Sequence, residues 1–185
     1  MSKSMIIQDY KENIDDRISM LEKFTGVVFK VRKHAISALM SVSFKGELIK
    51  KADKGLTKEL NKQIGHDTLA TLGDAVIKMV VSDYLIKLDN KISKGKLTVI
   101  KSELEKDQAF CNIVKHQNLH KLMLVSKNEE MGTKKLATYL ESIVGAIYLS
   151  NGIKQARLFI INVLVEPNYN SVIGEYNHKS EMEVL

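Results

Sequence analysis

Leu69-Ala70-Thr71-Leu72-Gly73-Asp74-Ala75-Val76 and Leu136-Ala137-Thr138-Tyr139-Leu140-Glu141-Ser142-Ile143-Val144-Gly145-Ala146-Ile147-Tyr148 are the two stretches on which the reading of this chain turns. Each is apolar at helical spacing, and each carries one carboxylate among small residues. Asp74 stands one turn beyond Ala70, and Glu141 nearly one turn beyond Thr138. Gly73, Ala75, Ser142, Gly145 and Ala146 are small enough for two helices to approach closely. If they do, Asp74 and Glu141 face each other and offer oxygen ligands to a hard cation. The competing reading is two solvated carboxylates on unrelated helix surfaces, the usual fate of Asp and Glu.

Around these stretches the pattern is helical almost throughout. Ile18, Leu21, Phe24 and Val28 space one apolar face, with Phe29 following it, and His34 to Phe44 reads as a second helix through Ile36, Leu39, Met40 and Ser43. Residues 45–62 turn polar, with Lys45, Lys50, Lys51, Lys54, Lys58 and Lys62, and read as a solvated loop with helical turns or a strip facing phosphates. The strongest signal runs from about Asp67 to Leu88, with Leu69, Leu72, Val76, Val80 and Leu85 as its stripe. Gly95 separates it from a helix spanning Leu97 to about His116. A charged turn, Ser126 to Thr133, precedes helices over Leu136–Leu149 and Ile153–Leu164, which Gly152 punctuates. Pro167 marks a boundary before an acidic tail. The expectation is an all-α fold divided into an extension (1–20), one domain (21–165) and a tail (166–185).

Composition excludes several classes. In 185 residues there are one Pro, ten Gly and no Trp, so the chain is neither collagen-like nor of the Pro/Gly-rich disordered kind. One cysteine, Cys111, builds no internal disulfide and no cysteine zinc site; amid Phe110 and Ile113 it reads as a small core residue. No apolar run approaches the roughly 20 residues of a membrane span, so the expectation is an intracellular protein of cytoplasm or nucleus, without a membrane partner. Twenty-eight Lys and Arg against twenty-two Asp and Glu give +6, a balance compatible with a polyanionic partner. Lysine dominates that positive charge, which suits point contacts with phosphate better than bidentate reading of bases. His34, His66, His116, His120 and His178 show no metal-ligand spacing and read as solvent or capping residues. Met20, Met40, Met79 and Met123 read as packing residues, and Ser142 lacks the His–acid partner a nucleophile needs.

The two quoted stretches resemble the signatures of the ribonuclease III family, L-E-x-L-G-D-A-V and A-D-x-F-E-S-x-x-G-A-I-Y-L. Leu21–Phe29 is similar to the family's opening L-E-x-x-x-G-Y-x-F, and Ala38–Phe44 to a degraded A-L-T-H-x-S-Y in which Ser41 stands where His is usual. Gly95-Lys96-Leu97-Thr98 matches its G-x-L-T. The resemblance runs in order over residues 21–164. It implies an all-helical nuclease domain, a symmetric homodimer, and an acid cluster that binds Mg²⁺, with Mn²⁺ as a substitute. It implies hydrolysis of double-stranded RNA to staggered products with 5′-phosphate and 3′-hydroxyl ends.

Carried over by position, two of four family acids are present. Asp74 and Glu141 match; the first-signature Glu falls on Ala70 and the second-signature Asp on Thr138. Three readings compete: Ala70 is an engineered replacement of a glutamate; the shell is unconventional, completed by Thr138 or water with help from Asp67; or the domain is a non-catalytic duplex-RNA-binding scaffold. Lys134 stands four residues before the second-signature acid position, as a lysine does in eukaryotic, Dicer-like members, and there implies a contact with the scissile phosphate. Leu119-His120-Lys121 also resembles the F-H-K run of those enzymes, while their Asn pair falls on Lys106-Asp107, where Asp107 offers another oxygen. Asn177–Met182 is similar to the N-P-K-S-x-L that opens a double-stranded-RNA-binding domain, so the tail reads as that opening or as a short packing helix.

Overall fold

Short polar side chains set several helix starts. Ser41, Asp53 and Ser93 each accept a hydrogen bond from the backbone N–H three residues on, at 3.2, 2.8 and 3.2 Å, and so satisfy donors that the first turn leaves free. The computed structural model describes residues 3–182. Its helices are α1 (Lys3–Thr25), α2 (Arg32–Leu39), α3 (Val42–Lys51), α4 (Lys54–Asn61), α5 (His66–Leu88), α6 (Lys94–Leu104), α7 (Asp107–His116), α8 (Thr133–Asn151), α9 (Ile153–Ile160) and α10 (Glu166–Met182). A 3₁₀ turn at Leu119–Lys121 and a π turn at Ile161–Val165 complete them. Among the described residues there is no strand, only one isolated bridge between Met40 and Leu124.

α8 is the axis. Leu136, Ala137, Tyr139, Leu140, Ile143, Val144, Ala146 and Ile147 are all buried, covering nearly its whole circumference, as a central helix requires. α5 packs along it, and α2, α7 and α9 close around it, while α6 bridges α5 and α10. The core runs unbroken from Ile6, Tyr10, Ile14 and Ile18 on α1 to Leu164 and Val165 in the π turn. α1 is continuous through the division placed at residue 20, and its apolar face belongs to this same core.

Several expected boundaries move. His34–Phe44 is two helices, because Met40 and Ser41 turn extended: Ser41 N donates to Leu124 O (3.0 Å), Leu124 N donates to Leu39 O (2.7 Å), and Ser41 then caps α3. The polar stretch 45–62 is mostly helix, α3 and α4, with Leu48 and Leu60 buried beneath its lysines. The helix expected over Leu97–His116 breaks at Glu105-Lys106, which lets α6 pack on α5 while α7 packs on α8. Pro167 ends no helix. It sits in the first turn of α10, where its missing N–H is not needed, and the widened π turn before it carries the chain through. Val28, Met20 and Met79 are exposed, so the packing expected of them passes to Phe29, Met40 and Met123. His34 and His66 are buried, not solvated. The sequence similarity at Asn177–Met182 concerns side chains outside the described ones.

α5 and α8 cross at Gly73 and Gly145. A Cβ on Gly73 would overlap the Glu141 carbonyl oxygen and lie 2.9 Å from Gly145 N; one on Gly145 would overlap the Leu69 carbonyl. Both positions meet backbone, which cannot yield as a flexible side chain can. Gly73→Ala or Gly145→Ala should therefore cost about 3 kcal/mol or more, the upper range for overpacking. Gly46→Ala on α3, where the added methyl meets nothing within 4 Å, should instead stabilise by about 0.5–1 kcal/mol. Denaturant melts of the three variants check both signs.

Candidate active site

The crossing delivers the two expected carboxylates to one place. Asp74 follows Gly73 directly, and Glu141 is the residue whose carbonyl Gly73 abuts. Both side chains are half-buried. Burial, then the Asp74 charge, then that of Asp107 push the Glu141 carboxyl up to about 7, against a smaller opposing pull from Lys78. Asp107, in the first turn of α7, is thus drawn into the same field as Asp74 and Glu141.

Two members of this field were not singled out from the sequence. Glu105, at the end of α6, keeps only 13% of its side chain exposed, and its Oε1 is buried without a hydrogen bond. Its carboxyl is raised by burial first, with Asp74 adding to the rise and Lys101 and Lys78 opposing it. Lys101 stands 3.7 Å from that oxygen. Lys78, one turn beyond Asp74, donates to Asp74 Oδ2 at 2.7 Å. That bond leads the causes that raise its ammonium, and Glu105 and Glu141 act in the same direction. The i,i+4 spacing of Asp74 and Lys78 was visible in the sequence; nothing there marks Glu105, which occupies a break that tertiary packing creates.

Of the other expected residues, Asp67, Lys134 and Thr138 line a groove of about 550 Å³ together with Ser41, Ser43, Glu129 and Lys135. Lys134 is exposed there. Thr138 lies one turn before Glu141 on α8, so groove and acid pair abut. Asp67 belongs to this groove, where its charge acts on His66 and Lys135. Ala70 is buried at the foot of α5. Glu129 holds one wall: it accepts from Ser41 Oγ (2.8 Å), Ser126 N (3.0 Å) and Ser43 Oγ, and pairs with Lys135. Ser41, at the position where the resemblance has His, is thereby a cap and a wall residue together.

His66 stacks on Tyr139 at 6.3 Å between ring centres, its Nδ1 lies 3.0 Å from Ala38 O, and burial holds its imidazole below the usual range. Ser142 is buried and donates to Tyr139 O at 2.8 Å, a packing role. Cys111 is buried in the core.

Among the described residues no group of three or more His, Cys, Asp or Glu side chains stands close enough to hold a metal ion by itself. The donor set offered is Asp74 and Glu141, whose charges act on one another, with Glu105 and Asp107 in the same field. That set suits a small hard cation such as Mg²⁺, which keeps several waters and takes one or two carboxylates plus substrate phosphate.

Residues 67–152 match the family model described as the ribonuclease III domain, an interval that contains both helices of the crossing. A curated relative named Ribonuclease 3 from Syntrophomonas wolfei is 33% identical over 134 residues, 69% of this chain and 58% of the relative. Another of that name, from Campylobacter concisus, is 32% identical over 126 residues, 65% of this chain and 55% of the relative. The chain therefore spans little more than half the length of these curated relatives. A solved nuclease domain of ribonuclease III from Campylobacter jejuni superposes with a TM-score of 0.67 at 28% identity, covering 83% of this chain and 99% of that one. The helical architecture and the match across the α5–α8 crossing thus make the chain similar to ribonuclease III nuclease domains over residues 67–152 and in overall fold.

Proposed function

We propose that this chain is a divalent-cation-dependent endoribonuclease that hydrolyses phosphodiesters of double-stranded RNA, acting as a homodimer and leaving staggered 5′-phosphate and 3′-hydroxyl ends. The observation that carries this reading is the Asp74 charge acting on the half-buried Glu141 carboxyl beside the Gly73–Gly145 crossing, within the stretch that matches the ribonuclease III domain. Asp74 and Glu141 would hold the cation, Mg²⁺ or Mn²⁺ in its stead, with Asp107 at the edge of the site and water or Thr138 where family acids are replaced. Bound there, a divalent cation supplies Lewis-acid polarisation of the phosphate and acidification of an attacking water.

The chain's own residues do the rest. Lys134, exposed in the adjoining groove, meets phosphate as a point charge, and Asp67 and Lys135 shape that groove's charge. Duplex RNA is held by shape and backbone contacts, which the lysine-rich surface suits. Ala75, Met79 and Ile86 form an exposed stripe on α5 that supports pairing with a second copy. The solved Campylobacter jejuni domain is itself described as having a region involved in dimer formation. Among the described residues no helix is long and apolar enough to cross a membrane. Placement among eukaryotic, Dicer-like members rests on Lys134 and the Leu119-His120-Lys121 run, whereas the relatives named above are bacterial. The replaced acids at Ala70 and Thr138 favour one other reading, a duplex-RNA-binding scaffold.

Incubating a long labelled RNA duplex with Mg²⁺, with Mn²⁺ and with chelator separates the two. Metal-dependent cutting that falls at least a hundredfold in Asp74→Asn is the expected result. Duplex binding without cutting, in this sequence and in Ala70→Glu alike, establishes the scaffold instead.

The raised Glu141 carboxyl carries a stability signature of its own. Glu141 ordinarily titrates near 4.5 and in the fold near 7, so the native state binds the extra proton and loses stability as pH climbs between those values. Glu141→Gln mimics the protonated form. In metal-free buffer its melting temperature should rise relative to the parent between pH 4.5 and pH 7 and level off above; a difference that does not change with pH contradicts the assignment.

A further inference from the structure

Lys78 has no counterpart in the signatures, and the acid site as read so far gives it no task. On a plain helix surface an i,i+4 Asp–Lys pair contributes little and competes with nothing. Lys78 is differently placed. Its Nζ lies 2.7 Å from Oδ2 of Asp74, a carboxylate that the proposed function assigns to the cation. Glu105 and Glu141 face the same ammonium from α6 and α8, and Asp107 acts on Glu141 from α7. A second ammonium in this field is Lys101, committed to Glu105 at 3.7 Å. Four carboxylates thus share this field with two ammonium groups, one of which is bonded directly to Asp74. Asp74 has a single oxygen in contact with Lys78, and that contact is a short, charge-assisted bond.

We infer that Lys78 is a resident counter-ion of the acid site, competing with the divalent cation for the Asp74 carboxylate and so weakening the site's affinity for metal. The inference rests on the reading of Asp74 and Glu141 as cation ligands. A cation arriving at Asp74 must displace the ammonium or bind beside it, and either route costs affinity. The ammonium is half exposed, so it has solvent to move into when displaced, and the exchange requires no rearrangement of the helices. Once displaced it remains tethered one turn away, a positive charge at the rim where a phosphate would enter.

The test measures Mn²⁺ binding to the full 185-residue chain without RNA, by electron paramagnetic resonance of the free ion or by calorimetry, at low ionic strength. Lys78→Gln should bind Mn²⁺ about tenfold more tightly than the parent, the order of change that one charge makes at a few ångströms in a half-solvated site. Lys78→Arg, which keeps the charge, should stay within about threefold of the parent. Lys87→Gln removes an equivalent lysine from the Asp83 pair on the same helix and should leave affinity unchanged. Circular dichroism confirms that each variant is folded. Unaltered affinity in Lys78→Gln overturns the inference while leaving the metal site standing, provided Asp74→Asn abolishes binding. Equal tightening by Lys78→Gln and Lys87→Gln also overturns it, by assigning the effect to net charge. No Mn²⁺ binding by the parent or by Lys78→Gln, or binding that Asp74→Asn leaves intact, overturns the metal site and this inference together.

Discussion

Backbone-to-backbone contact between α5 and α8 at Gly73 and Gly145 is the constraint on which the rest of the structure depends. Two helices ordinarily pack with axes 8–10 Å apart, a spacing set by the side chains between them. Here the side chains are absent at the contact, and carbonyl groups of one helix lie against glycine Cα atoms of the other. The approach leaves Asp74 and Glu141, next to the contact, no choice but to share a confined space. The buried flank of α8, including Leu140, Ile143, Val144 and Ile147, holds the arrangement in place.

The electrostatics follow from that confinement. The rise of Glu141 and Glu105 records their withdrawal from water first, and then the repulsion of the Asp74 charge brought close to them. Such a site is stabilised by a proton, by an ammonium group or by a metal ion, and this chain offers the first two itself, on Glu141 and from Lys78. Ala70 and Thr138 put no charge at the two positions where the resemblance places acids, while Glu105 and Asp107 act on the Asp74–Glu141 field from the end of α6 and from α7.

What the sequence made legible is what local periodicity and residue size control. The helices over residues 66–88 and 133–151, the small residues between them and the Asp74–Glu141 pair could all be read because each depends on spacing along a single segment. The breaks at Met40-Ser41 and Glu105-Lys106 could not. Each is fixed by a partner distant in sequence: Leu124 for the first, and the different packing surfaces of α6 and α7 for the second. Pro167 misled for a related reason, since its effect depends on whether the preceding turn can widen. Glu129 read as part of a charged turn, yet it joins Ser41, Ser126 and Lys135 in one wall. Lys78 and Glu105 were hidden by ordinariness, one lysine among many and one glutamate at a helix end.

On the proposed function, the glycine crossing makes Asp74 and Glu141 a single cation-binding unit. Crystals of the chain grown with Mn²⁺, with diffraction recorded at the manganese absorption edge, test it most directly. An anomalous peak is expected between the Asp74 and Glu141 carboxylates of each copy. Manganese bound elsewhere, with no peak at the crossing, would contradict it.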